Sequence, residues 1–197
     1  MSKAEKTKDF IIERSAMIFN TKGYAGTSLS DIIEVTGLTK GAIYGNFENK
    51  DEVAVAVYKY NIRTLKRKQA AVMTIEPTAT GKLIALTDYY RHNWRSIFEH
   101  GGCPILNAAI EADDNLGFLK KTVQESIGNW VLQISGIIEA GQKEGTIKKS
   151  VNAQEYAYVI LTNLEGGMML AKIMNNQKLL FSALDRIVLI IHHELKK

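Results

Sequence analysis

Seven residues between positions 28 and 50 have the types and spacing to meet a polyanion: Ser28, Thr39, Lys40, Gly41, Tyr44, Asn46 and Lys50. Lys40 can donate to guanine edges or to a phosphate, and Thr39 can donate to phosphate or touch a thymine methyl. Gly41 lets a backbone come close. Ser28, Tyr44, Asn46 and Lys50 are suited to donate to phosphate oxygens, contacts that set register without reading sequence. At the start of a helix, the Lys50 ammonium and a backbone N–H can share one phosphate. Tyr44 has a second reading, as a packing residue.

These residues need elements that hold them rigidly, and the stretch Ser28 to Lys50 supplies them. Ser28 with Asp31 three residues later makes a capping box for a first short helix, whose apolar side is Ile32, Ile33 and Val35. Gly37 tolerates the left-handed conformation that ends a helix sharply. Thr39 caps a second helix over Lys40 to Gly45, about one and a half turns long at ~3.6 residues per turn. Ile33, Leu38, Ile43 and Phe47 are its candidate core. Asn49 with Glu52 opens the next helix. A capped helix, a glycine turn and a short second helix form a helix-turn-helix, whose second helix has the dimensions of a DNA major groove.

Other chemistry is absent from the pattern. His92, His100, His192 and His193 include no His-Glu-x-x-His pair, and one cysteine offers no metal spacing. No Gly-x-Ser-x-Gly elbow and no phosphate-cradling Gly-rich loop occurs. His192 and His193 are adjacent and point apart on a helix. Cys103, beside Gly102 at a helix start, reads either as an oxidant-sensing thiol or as a buried structural cysteine. No enzyme, cofactor or metal site is expected.

The helix-turn-helix stretch resembles the DNA-binding domain of the TetR family of bacterial transcriptional regulators. The matching residues are T-S-L-S-D-I at 27–32, V-T-G-L-T-K-G at 35–41 and I-Y-x-x-F at 43–47, with Asn49-Lys50 following. Ile11, Ile12, Ser15, Ala16, Ile18, Phe19, Gly23 and Tyr24 resemble that family's first helix. Gly45 and Asn46 stand where the family often carries His or Tyr. The resemblance covers about the first quarter of the chain in detail. It implies a sequence-specific regulator, a repressor released from a palindromic operator in double-stranded DNA by a small-molecule effector.

Length, charge and composition agree with that expectation. A chain of 197 residues can bury a real core, and 46% hydrophobic with 23% charged residues is ordinary for a globular protein. The formal charge of +4 is concentrated: residues 1–73 hold 12 Lys+Arg against 8 Asp+Glu, and the remainder holds 13 of each. That is the footprint of a segment facing phosphates, or else a basic solvated face. The longest aliphatic run, Ile187 to Ile191, is far below the ~20 residues of a membrane span. No signal peptide is legible and a lone cysteine fits a reducing compartment, so the expected location is cytoplasmic, with no membrane partner.

Two prolines and abundant Ala, Leu, Ile, Lys and Glu favour helix throughout, and no strand alternation interrupts the pattern. The expected fold is all-α: a three-helix DNA-binding domain over residues 1–50 with a connecting helix at about 49–75, then a helical bundle over 76–197 for ligand binding and dimerisation. Glu76-Pro77 marks the boundary. Helices are expected over about 79–99, 104–112, 116–143, 152–174 and 177–195. The resemblance implies an effector pocket in the second domain, with candidate walls Tyr89, Tyr90, Trp94, Phe98, Asn107, Trp130 and Ile134. At helical spacing the same aromatics also read as ordinary core. The last two helices are apolar on more than one face. Tyr156, Ile160, Leu164, Gly167, Met168, Leu184, Ile187, Val188 and Ile191 are the candidate homodimer interface; burial within one subunit is the other reading. The rival from another class is a helical-bundle ligand carrier or enzyme that does not touch DNA.

Overall fold

The computed structural model describes residues 2–197, which form nine α-helices and no strand. In order these are α1 Lys3–Lys22, α2 Leu29–Thr36, α3 Lys40–Tyr44, α4 Lys50–Thr74, α5 Ala79–Glu99, α6 Pro104–Asp114, α7 Gly117–Glu144, α8 Ala153–Ile173 and α9 Gln177–Leu189. The last helix widens into a π-helical segment, Ile190–Leu195, where the periodicity predicts an unbroken α-helix. Local signals account for most starts. Ser28, Thr39, Thr78, Asn152 and Asn176 each accept a backbone N–H of the turn they cap. Asn49 accepts from the Glu52 N–H, while the Glu52 carboxylate reaches back to the Glu48 N–H instead of closing on Asn49.

Contacts divide the chain into two units: Met1–Leu65 with Pro104–Glu125, and Lys66–Cys103 with Ser126–Lys197. Helices α4 and α7 each contribute to both. In the first unit, Ile11, Ile12 and Phe19 of α1 are buried with Ile32, Ile43, Phe47 and the α4 residues Val53, Val57 and Tyr58. Tyr24 is buried too, its ring 5.5 Å from Phe19 and edge-on to Tyr58 at 6.0 Å. Helix α6 belongs to this unit, a placement that the linear order of the chain does not suggest.

The second unit is built on α5, α8, α9 and the remainder of α4 and α7. Helices α8 and α9 pack closely: a Cβ on Gly167 would lie 2.5 Å from the Ala183 Cβ. Gly141 plays the same part on α7, where a Cβ would lie 2.7 Å from both Ala79 and Ile147. The C-terminal segment is tied down by Lys148 N–H to the Leu195 carbonyl, Lys197 N–H to the Thr146 carbonyl, and the Lys148 ammonium to the His193 and Glu194 carbonyls. No helix among the described residues is long and apolar enough to cross a membrane.

Candidate nucleic-acid interface

The α2–α3 pair is held by bonds that leave one side of α3 open. The Ser28 hydroxyl accepts the Asp31 N–H at 3.2 Å, and the Asp31 carboxylate takes the Ser28 N–H at 2.8 Å. Lys22 donates to the same carboxylate at 2.5 Å. That ammonium, followed by the Ser28 backbone and hydroxyl, lowers the Asp31 carboxyl to about 2. Asp31 is therefore ionised at any working pH, with its charge compensated locally. Gly37 sits at φ 67 and donates its N–H to Ile33. Added atoms there would meet nothing within 4 Å, so the backbone angle alone selects glycine. The Thr36 hydroxyl closes the turn, donating to the Ile32 carbonyl and accepting the Leu38 N–H.

Helix α3 has only five residues, too few to be stable alone, and its rigidity comes from both ends and one buried face. Thr39 accepts the Ala42 N–H at 3.2 Å. Ile43 and Phe47 are buried beneath it. Thr39, Lys40, Gly41 and Tyr44 are exposed. Lys40 makes no ion pair among the described residues; its ammonium lies 5.9 Å from the Tyr44 ring centre. A Cβ on Gly41 would find only the Thr39 hydroxyl at 3.9 Å, so this stretch of backbone is open to close approach. A cation, a hydroxyl, a bare backbone and a phenol thus share a short convex rod.

The other three sequence candidates are partly engaged in holding the fold. The Ser28 hydroxyl donates to Asp31 at 2.9 Å, and the Asn46 amide donates to the Ala42 carbonyl at 2.9 Å. The Lys50 ammonium donates to the Thr27 carbonyl at 3.0 Å and reaches Ala25 at 3.5 Å. A contact with phosphate would have to share or replace these bonds. Buried Tyr24 packs back on Phe19 and Tyr58 and does not face outward.

One supporting residue escaped the sequence reading. The Glu111 carboxylate of α6 accepts the backbone N–H of Tyr24 at 2.9 Å and of Ala25 at 2.7 Å. Gly23 makes room for it: with φ 86, a Cβ there would lie 2.8 Å from the Glu111 oxygen. Asn107, one turn earlier, donates to the Asn20 carbonyl and side-chain oxygen, both at 3.1 Å. No periodic signal couples residues 87 positions apart, and in the run Pro104 to Asp114 nothing sets Glu111 apart from its acidic neighbours Asp113 and Asp114. Charge-assisted bonds of this kind are worth about 1.5–3 kcal/mol each. With two such bonds, Glu111→Ala is expected to lower stability by about 3 kcal/mol, measured by urea denaturation. An unchanged midpoint would show the pair to be ornamental.

The candidate pocket walls find diverse partners. Asn107 is committed to Asn20 in the first unit. Tyr89 and Tyr90 meet edge-on at 5.2 Å, and the Tyr90 hydroxyl accepts the Gln69 amide at 2.6 Å. Trp94 packs edge-on against Phe98 at 5.7 Å and Phe181 of α9 at 6.4 Å. Trp130 and Ile134 are buried, the Trp130 indole N–H without a hydrogen-bond partner among the described residues.

The candidate dimer residues fall mostly inside one subunit. Ile160, Leu164, Gly167, Met168, Leu184, Ile187 and Ile191 are buried among the chain's own helices. The helix that Gly167 admits is α9 of the same chain. Tyr156 and Val188 are half-buried, and the Tyr156 hydroxyl donates to Glu194. The surfaces left exposed on these helices are instead Tyr158, Met169, Leu170, Ile173 and Leu189, with Ile173 77% accessible.

The chain matches the description "Bacterial regulatory proteins, tetR family" over residues 11–57 and "Tetracyclin repressor-like, C-terminal domain" over residues 79–187. It is similar to a TetR-family transcriptional regulator from Cytophaga hutchinsonii, at 36% identity and TM-score 0.93, over 97% of this chain and 96% of that one. A TetR transcriptional regulator from Chloroflexus aurantiacus J-10-FL is 34% identical with TM-score 0.91, covering 100% and 99% of the two chains. The HTH-type transcriptional repressor DhaR of Mycobacterium sp. (strain GP1) is 22% identical over 87% of this chain and 85% of its own. A capped helix-turn-helix with an open basic rod, two matched domains and full-length likeness to solved regulators meet in one conclusion: the chain belongs to the TetR family and is a DNA-binding transcriptional regulator, in a family of regulators and not of enzymes.

Proposed function

We propose that the protein is a homodimeric repressor that holds a palindromic operator through α3 of each protomer and lets go when a small molecule binds its second unit. The observation that carries this reading is the open side of α3, where Thr39, Lys40, Gly41 and Tyr44 lie exposed over buried Ile43 and Phe47. In this reading Lys40 and Thr39 reach base edges, Tyr44 and the backbone at Gly41 meet phosphate, and Ser28, Asn46 and Lys50 add phosphate contacts at the rim. The protein acts in the cytoplasm, where its operator lies. The dimer surface is the exposed apolar stripe of α8, Tyr158, Met169 and Ile173, together with exposed Leu189 of α9. A patch of this kind marks an interface more often than free surface. The effector works by preferring one arrangement of the dimer, and shifts operator occupancy only by its differential affinity.

Titration of a labelled palindromic duplex tests this, read by fluorescence anisotropy with sedimentation of the complex. Two protomers should bind per site, with half-sites about one helical turn or a multiple apart. Affinity should fall linearly in log K against log salt, with a slope of roughly 0.9 per neutralised phosphate. A flat salt response, or one protomer per duplex, would remove the proposal.

A further inference from the structure

Glu165 is the one charged residue of α8 between Glu155 and Lys172, set in the run Leu161 to Leu170. Both of its carboxyl oxygens are shut off from solvent, and among the described residues neither accepts a hydrogen bond from a nitrogen or oxygen donor. The polar group against it is the Cys103 thiol, a weak donor. Tyr90 is close enough for the Glu165 and Cys103 charges to act on its hydroxyl. That hydroxyl accepts the Gln69 amide at 2.6 Å, so its own proton is left to point elsewhere. Burial, ahead of those charges, holds the Tyr90 phenol far above its usual range, so it stays a neutral donor. The Tyr89 ring stands edge-on to it. All five residues lie in the second unit.

Such an arrangement is half of an ion pair. An uncompensated carboxylate in a desolvated place is among the costliest features a fold retains, and native structures normally neutralise or pair it. Burial pushes the Glu165 carboxyl up to about 7, with the Cys103 thiol pulling the other way, so a sizeable fraction is ionised at neutral pH. The missing partner needs a positive charge, N–H donors and a body that tolerates aromatic neighbours. An anion would be repelled, and a neutral apolar molecule would leave the carboxyl unpaired. We propose that Glu165 anchors an organic ammonium effector, its charged nitrogen seated on the carboxylate and its apolar body against the tyrosine pair. This rests on the effector reading above and supplies its ligand class.

The test uses the full-length chain at pH 8, with 2-phenylethylammonium and n-butylammonium as probes and 2-phenylethanol as the neutral counterpart. The ammonium probes should raise Tm in a concentration-dependent way and release labelled operator, and the alcohol should do neither. Glu165→Gln, of equal shape and no charge, should weaken the ammonium response at least about tenfold while binding operator like wild type without probe. Should Glu165→Gln fail to fold, Glu165→Asp keeps the charge a methylene away and should retain a weakened response. No ammonium response in the wild type would overturn the proposal, as would an equal response in Glu165→Gln, an equal effect of the alcohol, or stabilisation without operator release. Failure of the wild type to bind any duplex sinks the DNA reading instead, and the probe titration shows which has failed.

Discussion

Lys40→Ala is expected to weaken operator binding by about 1–3 kcal/mol at each half-site if the ammonium reads a base, and a palindromic complex loses it twice. The fold should be untouched, because Lys40 is exposed and makes no ion pair among the described residues. Its ammonium lies 5.9 Å from the Tyr44 ring centre. Tyr44→Ala should add a smaller loss, roughly uniform across operator sequences, since a phenol on phosphate positions without specifying. Thr39 differs because it also caps α3. Thr39→Ser should keep the cap and most of the affinity, whereas Thr39→Ala loses both. Anisotropy titrations at one fixed salt concentration separate these effects, with circular dichroism to verify helix content. Wild-type affinity in the double Lys40→Ala, Tyr44→Ala variant would mean that some other surface meets the DNA.

The second large effect concerns pH. Glu165 is raised from 4.5 to about 7, first by burial. In the folded chain it therefore holds a proton over a range where the unfolded chain has lost it. Its contribution to stability is complete below about 4.5 and disappears as pH rises through about 7. The difference corresponds to about 3 kcal/mol at 1.36 kcal/mol per pKa unit. Tyr90, which feels the Glu165 charge, and Tyr89 beside it do not share that window: both phenols are raised by burial, and neutral phenols take no part near pH 6. Asp31 moves the opposite way, and its stabilisation is lost only as pH falls from 3.8 through about 2. Urea denaturation at pH 5 and pH 8 should thus show the wild type losing about 3 kcal/mol relative to Glu165→Gln. Parallel curves for the two proteins would mean that the carboxyl is solvated after all. An ammonium bound at Glu165 should restore most of the loss at pH 8, tying this measurement to the ligand.

The local pattern alone revealed a great deal. The capping pair Ser28–Asp31, the left-handed Gly37 and the cap at Thr39 all occur as expected, because each is decided within three or four residues of itself. The same holds for Asn152 at the start of α8. The all-helical class followed from composition and periodicity for a related reason: helical hydrogen bonds never leave their own segment. These signals sufficed to find the helix-turn-helix; that Thr39, Lys40, Gly41 and Tyr44, of the seven candidates, form its open side came from the packed structure.

What the tertiary structure decided is which apolar or polar surface meets which. Periodicity says that Ile160, Leu164 and Ile187 belong on covered faces, yet it is silent on whether a second subunit or the chain's own α8 and α9 cover them. Nor could spacing show that Ser28, Asn46 and Lys50 already spend donors on neighbouring acceptors, or that Asn107 donates to Asn20. Glu111 and Glu165 are the sharpest cases. Both are acidic residues that directly follow an apolar residue inside a helix. One finds two backbone N–H groups 86 and 87 residues away, and the other finds no donor stronger than a thiol. Sequence sets what each side chain can offer, since that is covalent chemistry; only the packed chain sets whether the offer is met, since desolvation and pairing act through space.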